Sequence, residues 1–266
     1  MSSAIDWLVR LPAVIGFLVL LAVGLLFAIG FTLAAERAFK DDARARTGAS
    51  VATIVGVIAG LYAVLVAFVI VNEWQAFNNA QTQVSNESAA IASTFFDASV
   101  LPEPGRTQIQ HAAIAYDRSV VCAEIPYLAT HQGPAPSTRR ALQSLFTTVA
   151  QAEPTARGSE FYRATVDQIG NISVARRGRI NSASSPLPNL LLVVIVATSV
   201  ALIAAVSGLD TQHRRWHIAI TVAITVIVSL NLALVLTLDR PFDGAAKISD
   251  APLREGVPAA DLRCKS

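Results

Sequence analysis

Residues 51–72 read VATIVGVIAGLYAVLVAFVIVN, a run without one charged side chain. A helix rises about 1.5 Å per residue, so roughly 20 residues cross about 30 Å of hydrocarbon, and this run is long enough. Residues 11–35, 187–209 and 218–238 are equally free of charge and equally long for the purpose. The four runs form two close hairpins with a more polar segment between them. The expected fold class is therefore all-α: a polytopic membrane protein whose four transmembrane helices form two hairpins around a helical extramembrane domain. The expected boundaries are 1–72 for the first hairpin, 73–186 for the domain, 187–238 for the second hairpin and 239–266 for an irregular tail.

Composition agrees with a lipid-embedded chain. Hydrophobic residues make up 53% and charged residues 15%, against about 25% charged in soluble domains. The net charge of +2 offers no concentrated basic face, so nucleic acid is not an expected partner. The N-terminal run is too long for a signal-peptide core and lacks a small-x-small exit, so it is expected to be a retained span. Arginine outnumbers lysine 18 to 3, which suggests a GC-rich bacterial gene; the expected location of the multi-pass chain is the bacterial inner (plasma) membrane.

Charge also suggests an orientation. The two short loops, residues 36–50 and 210–216, carry Arg37, Lys40, Arg44, Arg46, Arg214 and Arg215, whereas residues 73–92 contain no Lys or Arg. On that other side Arg176, Arg177 and Arg179 precede the third span and Arg240 follows the fourth, so the bias is one of density rather than of number. Short loops weigh most in the positive-inside rule. The short loops are therefore expected in the cytoplasm, with the middle domain and both termini outside. An even number of spans puts Cys122 and Cys264 on one face, where an oxidising compartment would permit a bond between them; two unrelated thiols are the alternative.

The middle segment reads as helix throughout. No Pro or Gly interrupts residues 72–99, so the second span is expected to continue out of the bilayer as one helix. Trp74, Phe77, Val84, Ile91 and Phe95 form its apolar stripe. Ile109, Ala112, Ala113, Tyr116, Val120 and Ala123 mark a helix that Pro126 should interrupt. Ser137 is the expected N-cap of a helix bearing Leu142, Leu145, Phe146 and Val149. Pro154 and Gly158 should break the chain before a last helix with Phe161, Val166, Ile169 and Ile172. The prolines and glycines of the tail predict irregular structure, with its last ten residues loose.

Within the second span, Ala52, Gly56, Gly60, Ala63 and Ala67 make a ridge of small residues that lets backbones approach closely, within one subunit or between subunits. In the fourth span, His217, Thr221, Thr225 and Ser229 align at every fourth position. Such a stripe lines a watery path or, more commonly, bonds to carbonyls of the preceding turn. Asn231 should face protein or water. No span carries a mid-depth charge, which argues against a proton-coupled carrier. His111, His131, His213 and His217 show no metal spacing, and no catalytic or phosphate-binding motif is present. Neither enzyme activity, metal nor cofactor is expected.

The second span runs from Tyr62 to Phe68 and on to Glu73-Trp74, Glu87 follows in the polar helix, and the fourth span exits as Asp239-Arg240-Pro241-Phe242-Asp243-Gly244. With the layout of two spans, a domain and two spans, these residues resemble the bacterial bestrophin-like family along nearly the whole chain. The motif residues are Tyr62, Glu87, Asp239, Pro241, Phe242 and Gly244. Bestrophins are pentameric anion channels whose second membrane segment lines the pore. The resemblance thus implies a homo-oligomer in the lipid bilayer, passing inorganic anions such as chloride. Val57, Leu61, Val64 and Phe68 would form an apolar constriction, and Ala52, Gly56, Gly60, Ala63 and Ala67 would pack the oligomer. The chain lacks the long acidic Ca²⁺ clasp of the animal channels. Those channels also keep their large domain in the cytosol, opposite to the orientation the charges suggest. A non-conducting scaffold or sensor, whose helical domain binds a partner, is the alternative function.

Overall fold

The computed structural model describes residues 13–38, 41–131, 133–156, 158–184, 187–209, 214–243, 246–257 and 264. They form helices α1 (Ala13–Ala38), α2 (Asp41–Ala98), α3 (Gly105–Ser119), α4 (Ile125–His131), α5 (Pro136–Ala156), α6 (Glu160–Ser184), α7 (Asn189–Ser207), α8 (Arg214–Leu238) and α9 (Ala251–Glu255), with a π-helical turn, Val120–Glu124, joining α3 to α4. No strand occurs among the described residues. Four helices are long and apolar enough to cross a membrane, and α2 is the longest at 58 residues. The all-α, four-span expectation is met.

The chain divides into a unit of residues 1–75 with 187–239, and a unit of residues 76–186 with 240–266. In the first, the membrane unit, α1 packs closely on both α7 and α8. Gly24 permits this approach: a Cβ there would lie 2.8 Å from Thr225 Cγ2 and 3.4 Å from Ser229 Oγ. Thr221, Thr225 and Ser229 are accordingly buried, and the Thr225 hydroxyl donates to the Thr221 carbonyl at 2.7 Å. The hydroxyl stripe of the fourth span thus packs against α1 within the subunit. Asn231 is half-buried. The α2 helix adds Val55, Tyr62, Val66 and Val69 to the same apolar core, a stripe at spacings of seven, four and three that leaves its other faces open.

The second unit is a helical domain built mainly on α3 packed against α5. Ile109, Ala113, Tyr116 and Val120 are fully buried, as are Val84 and Ile91 of α2, while Phe77 and Phe95 pack at the edge of this core. Trp74 falls in the membrane unit and is exposed. Pro126 does not interrupt its helix. A proline removes one backbone donor and crowds the carbonyl four residues back, and the chain relieves this by widening the preceding turn, where the Ile125 N–H donates to Val120 five residues away. Ser137 is not a cap: α5 starts one residue earlier, at Pro136, where a missing donor costs nothing. That helix also runs past Pro154 to Ala156, and the break falls at Gly158, whose φ of +90° suits glycine.

The tail is less irregular than its glycines and prolines suggest. Phe242, Ile248, Leu253 and Val257 are all buried in the domain core, Ser88 Oγ donates to the Pro252 carbonyl at 2.5 Å, and Cys264 is bonded to Cys122. The tail therefore acts as a strap across the domain. Gly244 and most of the last nine residues lie outside the described residues.

Candidate functional site

Two features stand out, one in each unit. In the membrane unit, α2 presents three kinds of face. Val55, Tyr62, Val66 and Val69 point inward, and Ser199 Oγ sits 3.2 Å from the Tyr62 hydroxyl. Val57, Leu61, Val64 and Phe68, at spacings of four, three and four, are 60%, 69%, 56% and 68% exposed. The ridge of Ala52, Gly56, Gly60, Ala63 and Ala67 is exposed as well, and a Cβ at Gly56 or Gly60 would meet nothing within 4 Å. Unlike Gly24, these glycines are not needed for packing inside the subunit.

In the domain, five side chains join α2, α3, the π turn and α6 in one buried polar network. Glu87, Tyr116, Glu124 and Arg179 are 0% exposed and Arg176 is 8% exposed. Arg179 grips Glu87 with two hydrogen bonds, Nε to Oε2 at 2.6 Å and Nη2 to Oε1 at 3.0 Å. The Tyr116 hydroxyl donates to Glu87 Oε1 at 2.5 Å. Arg176 makes the matching fork to Glu124, with bonds of 3.0 and 2.7 Å. Arg179 Nη2 also lies 3.6 Å from Glu124 Oε2, and Glu124 Oε1 accepts the Ala135 N–H at the start of α5. Two forks held by one α6 helix fix the angle of α2 and the π turn against it. Burial opposes the charge on Arg179, but the Glu87 carboxylate outweighs it and raises the guanidinium's pKa. Burial and then the same carboxylate push the Tyr116 phenol well above its ordinary value.

Glu87 was legible as a family position, but its partners were not. Arg176 and Arg179 are spaced by three, so both reach one side of α6, yet they read in the sequence only as basic residues before the third span. Asp117 lies apart from this network. It is 1% exposed and neither of its carboxylate oxygens has a hydrogen-bond partner among the described residues. Burial first, and then the charge of Glu87, raise its pKa to about 7. A folded pKa above the unfolded one means that the domain is most stable, as far as this group is concerned, below about pH 4. That stability drains away as pH rises towards 7. Asp117→Asn is expected to leave stability at pH 4 nearly unchanged and to raise it at pH 8, by up to a few kcal/mol at about 1.36 kcal/mol per pKa unit, seen as a higher melting temperature. Melts of the two proteins in detergent across that range check it; equal shifts at both pH values would contradict it.

Of the exit motif, Asp239 Oδ1 accepts the Leu187 N–H in the membrane unit. In the domain, Ile248 N–H donates to the Pro241 carbonyl at 2.9 Å, and Phe242 is buried close to Leu128, Ala129 and Ala183. No cluster of metal-ligating side chains occurs among the described residues.

A bestrophin-like domain model matches residues 17–253. The chain belongs to the bestrophin-like family. Its fold is similar to that of a bacterial bestrophin homologue from Klebsiella pneumoniae. A single-substitution variant of that homologue aligns with a TM-score of 0.72 at 13% identity, over 89% of this chain and 93% of that one. The homologue phased by zinc anomalous scattering gives 0.68 at 13% identity, over 90% and 95%. A crystal structure described only as a membrane protein gives 0.71 at 13% identity, over 90% and 95%. At such identities the likeness is one of fold. No curated protein matches the chain.

Proposed function

We propose that this bestrophin-like protein is a homo-oligomeric ion channel of the bacterial inner membrane, with copies of α2 ranged around a central axis. The observation that carries the reading is the outer surface of α2. Its bulky stripe and its small-residue ridge are both unused by the subunit, and they lie on adjacent faces of one helix. In lipid, small residues favour close helix–helix contact, which suits the ridge to a neighbouring copy. Val57, Leu61, Val64 and Phe68 then face the axis as a constriction that closes by dewetting. Pentameric assembly and inorganic anions such as chloride as permeant ions follow from the family resemblance.

The domain and both termini lie outside the cytoplasm in this reading. The Arg-rich short loops support that, and so does the Cys122–Cys264 disulfide, a bond of oxidising compartments. Gly60→Leu places a bulky side chain on the ridge where the subunit itself has open space. It is expected to break the oligomer in native mass measurements while the helical domain keeps its melting behaviour. Assembly of Gly60→Leu like the parent would remove the ridge from the interface and undermine the channel reading.

A further inference from the structure

Past the apolar stripe, α2 continues into the domain without acquiring the charges that a solvated helix normally carries. Asn78, Asn79, Gln81, Thr82, Ser85 and Asn86 are all exposed, and all are neutral. Asn79, Thr82, Asn86 and Ser93 repeat at spacings of three, four and seven, and so continue the register set by Val57, Leu61, Val64 and Phe68 on the same helix. No Lys, Arg or His occurs anywhere in residues 47–105. Of the acids, Glu87 is locked in the domain core by Arg179 and Glu73 is half-buried. Asp97, in the final turn of α2, is the first charge on that side. Alongside, Gln83 and Asn86 of α2 and Gln168 and Asn171 of α6 line an open groove of about 310 Å³, again without a charge.

We propose that this neutral track, with Asn79, Thr82 and Asn86 as its core, is the ion-contacting surface of the domain, and that it makes the channel tolerant of both signs of charge. The inference rests on the reading of α2 as the wall of an axial path. A carboxamide offers two N–H donors and a carbonyl acceptor, so it replaces part of the water shell of a chloride or of a potassium ion. A ring of fixed charges would instead attract one sign and repel the other, strongly where the path is narrow and poorly screened. Asp97 is half-buried, as Glu73 is, and sits at the far end of the track beyond Asn79, Thr82 and Asn86.

The test is reconstitution in planar bilayers with a potassium chloride gradient. The two cysteines are bonded to each other and none is free among the described residues, so Val64→Cys adds a single thiol to probe the path. Charged thiol reagents should block Val64→Cys. The parent should show a chloride-to-potassium permeability ratio within about tenfold of unity. Asn79→Asp, isosteric and exposed, should swing that ratio at least about tenfold towards potassium by forming a ring of carboxylates. Gln143→Glu, the same change on the exposed side of α5, should leave it alone. If Val64→Cys is blocked but the parent excludes one ion almost completely, the neutral track does not set selectivity and the proposal fails while the pore reading stands. The same holds if Asn79→Asp changes nothing, or if Asp97→Asn moves the ratio further than Asn79→Asp does. If Val64→Cys carries no current or ignores the reagents, the pore reading falls and takes this proposal with it.

Discussion

Arg179→Met is expected to destabilise the helical domain by about 3–5 kcal/mol, enough to stop the protein accumulating in the membrane. The substitution removes a guanidinium that is wholly buried and gripped by Glu87. What it leaves behind matters more than what it removes: among the described residues Glu87 keeps only the Tyr116 hydroxyl as a hydrogen-bond partner, and it stays fully buried. A buried carboxylate without its counter-ion must either carry the desolvation cost or take up a proton. Glu87→Gln should cost less, because the amide still accepts one bond while leaving the arginine underpaired. The informative variant is the double one. Replacing Glu87 and Arg179 together with methionine removes both charges, and it should recover much of the lost stability if the pair serves stability alone. Melting of the parent, Glu87→Met, Arg179→Met and the double variant in detergent closes the cycle. A double variant as weak as Arg179→Met would show that the pair fixes the helix arrangement and that apolar packing does not replace it. Arg176 and Glu124 will soften the single effects, since Arg179 also lies near Glu124.

The spans, the long α2 helix and the small-residue spacing of the ridge were legible in the sequence because each depends on local pattern; that the ridge faces out of the subunit was not. A charge-free run of the right length and a 3.6-residue period need no knowledge of distant contacts. The misread points depend on what a residue meets in space. Pro126 looked like an end, but a widened turn absorbs it. Pro154 looked like a break, and the helix runs on for two residues beyond it. The Thr221–Ser229 stripe left a watery path open beside the commoner reading of hydroxyls bonded to the preceding turn, and the close approach of α1 at Gly24, from the far end of the chain, decides for the latter. The buried network was hardest of all. Glu87, Tyr116, Glu124, Arg176 and Arg179 lie up to 92 residues apart, and nothing in their separate neighbourhoods announces that they converge. The neutral face of α2 was visible only as an absence of basic residues. It acquired meaning once burial showed which side of the helix Glu87 occupies.

Cys122→Ser, or Cys264→Ser, is expected to produce the other large effect. The bond closes a separation of 142 residues, with Cα atoms 5.4 Å apart. On chain-entropy grounds a loop of that size gives up to about 5 kcal/mol, and less here because membrane spans already confine the unfolded chain. The loss should appear first in the strap. The disulfide ties the end of the tail to the π turn, one end of which holds Glu124, while Phe242, Ile248, Leu253 and Val257 seat the rest of it. Serine variants should therefore be cut early by protease in the tail while α3 and α5 stay protected. The same bond tests the orientation. In intact cells lysed into an alkylating reagent, the parent should take up label only after reduction, because a bond formed outside the cytoplasm persists. A cysteine placed at exposed Gln143 should react with an impermeant reagent before lysis, and one placed at Thr211 in the second short loop should not. Ready labelling of Cys122 and Cys264 without reduction, together with reaction at Thr211 in place of Gln143, would turn the protein over in the membrane. The strap would then have to hold by packing alone.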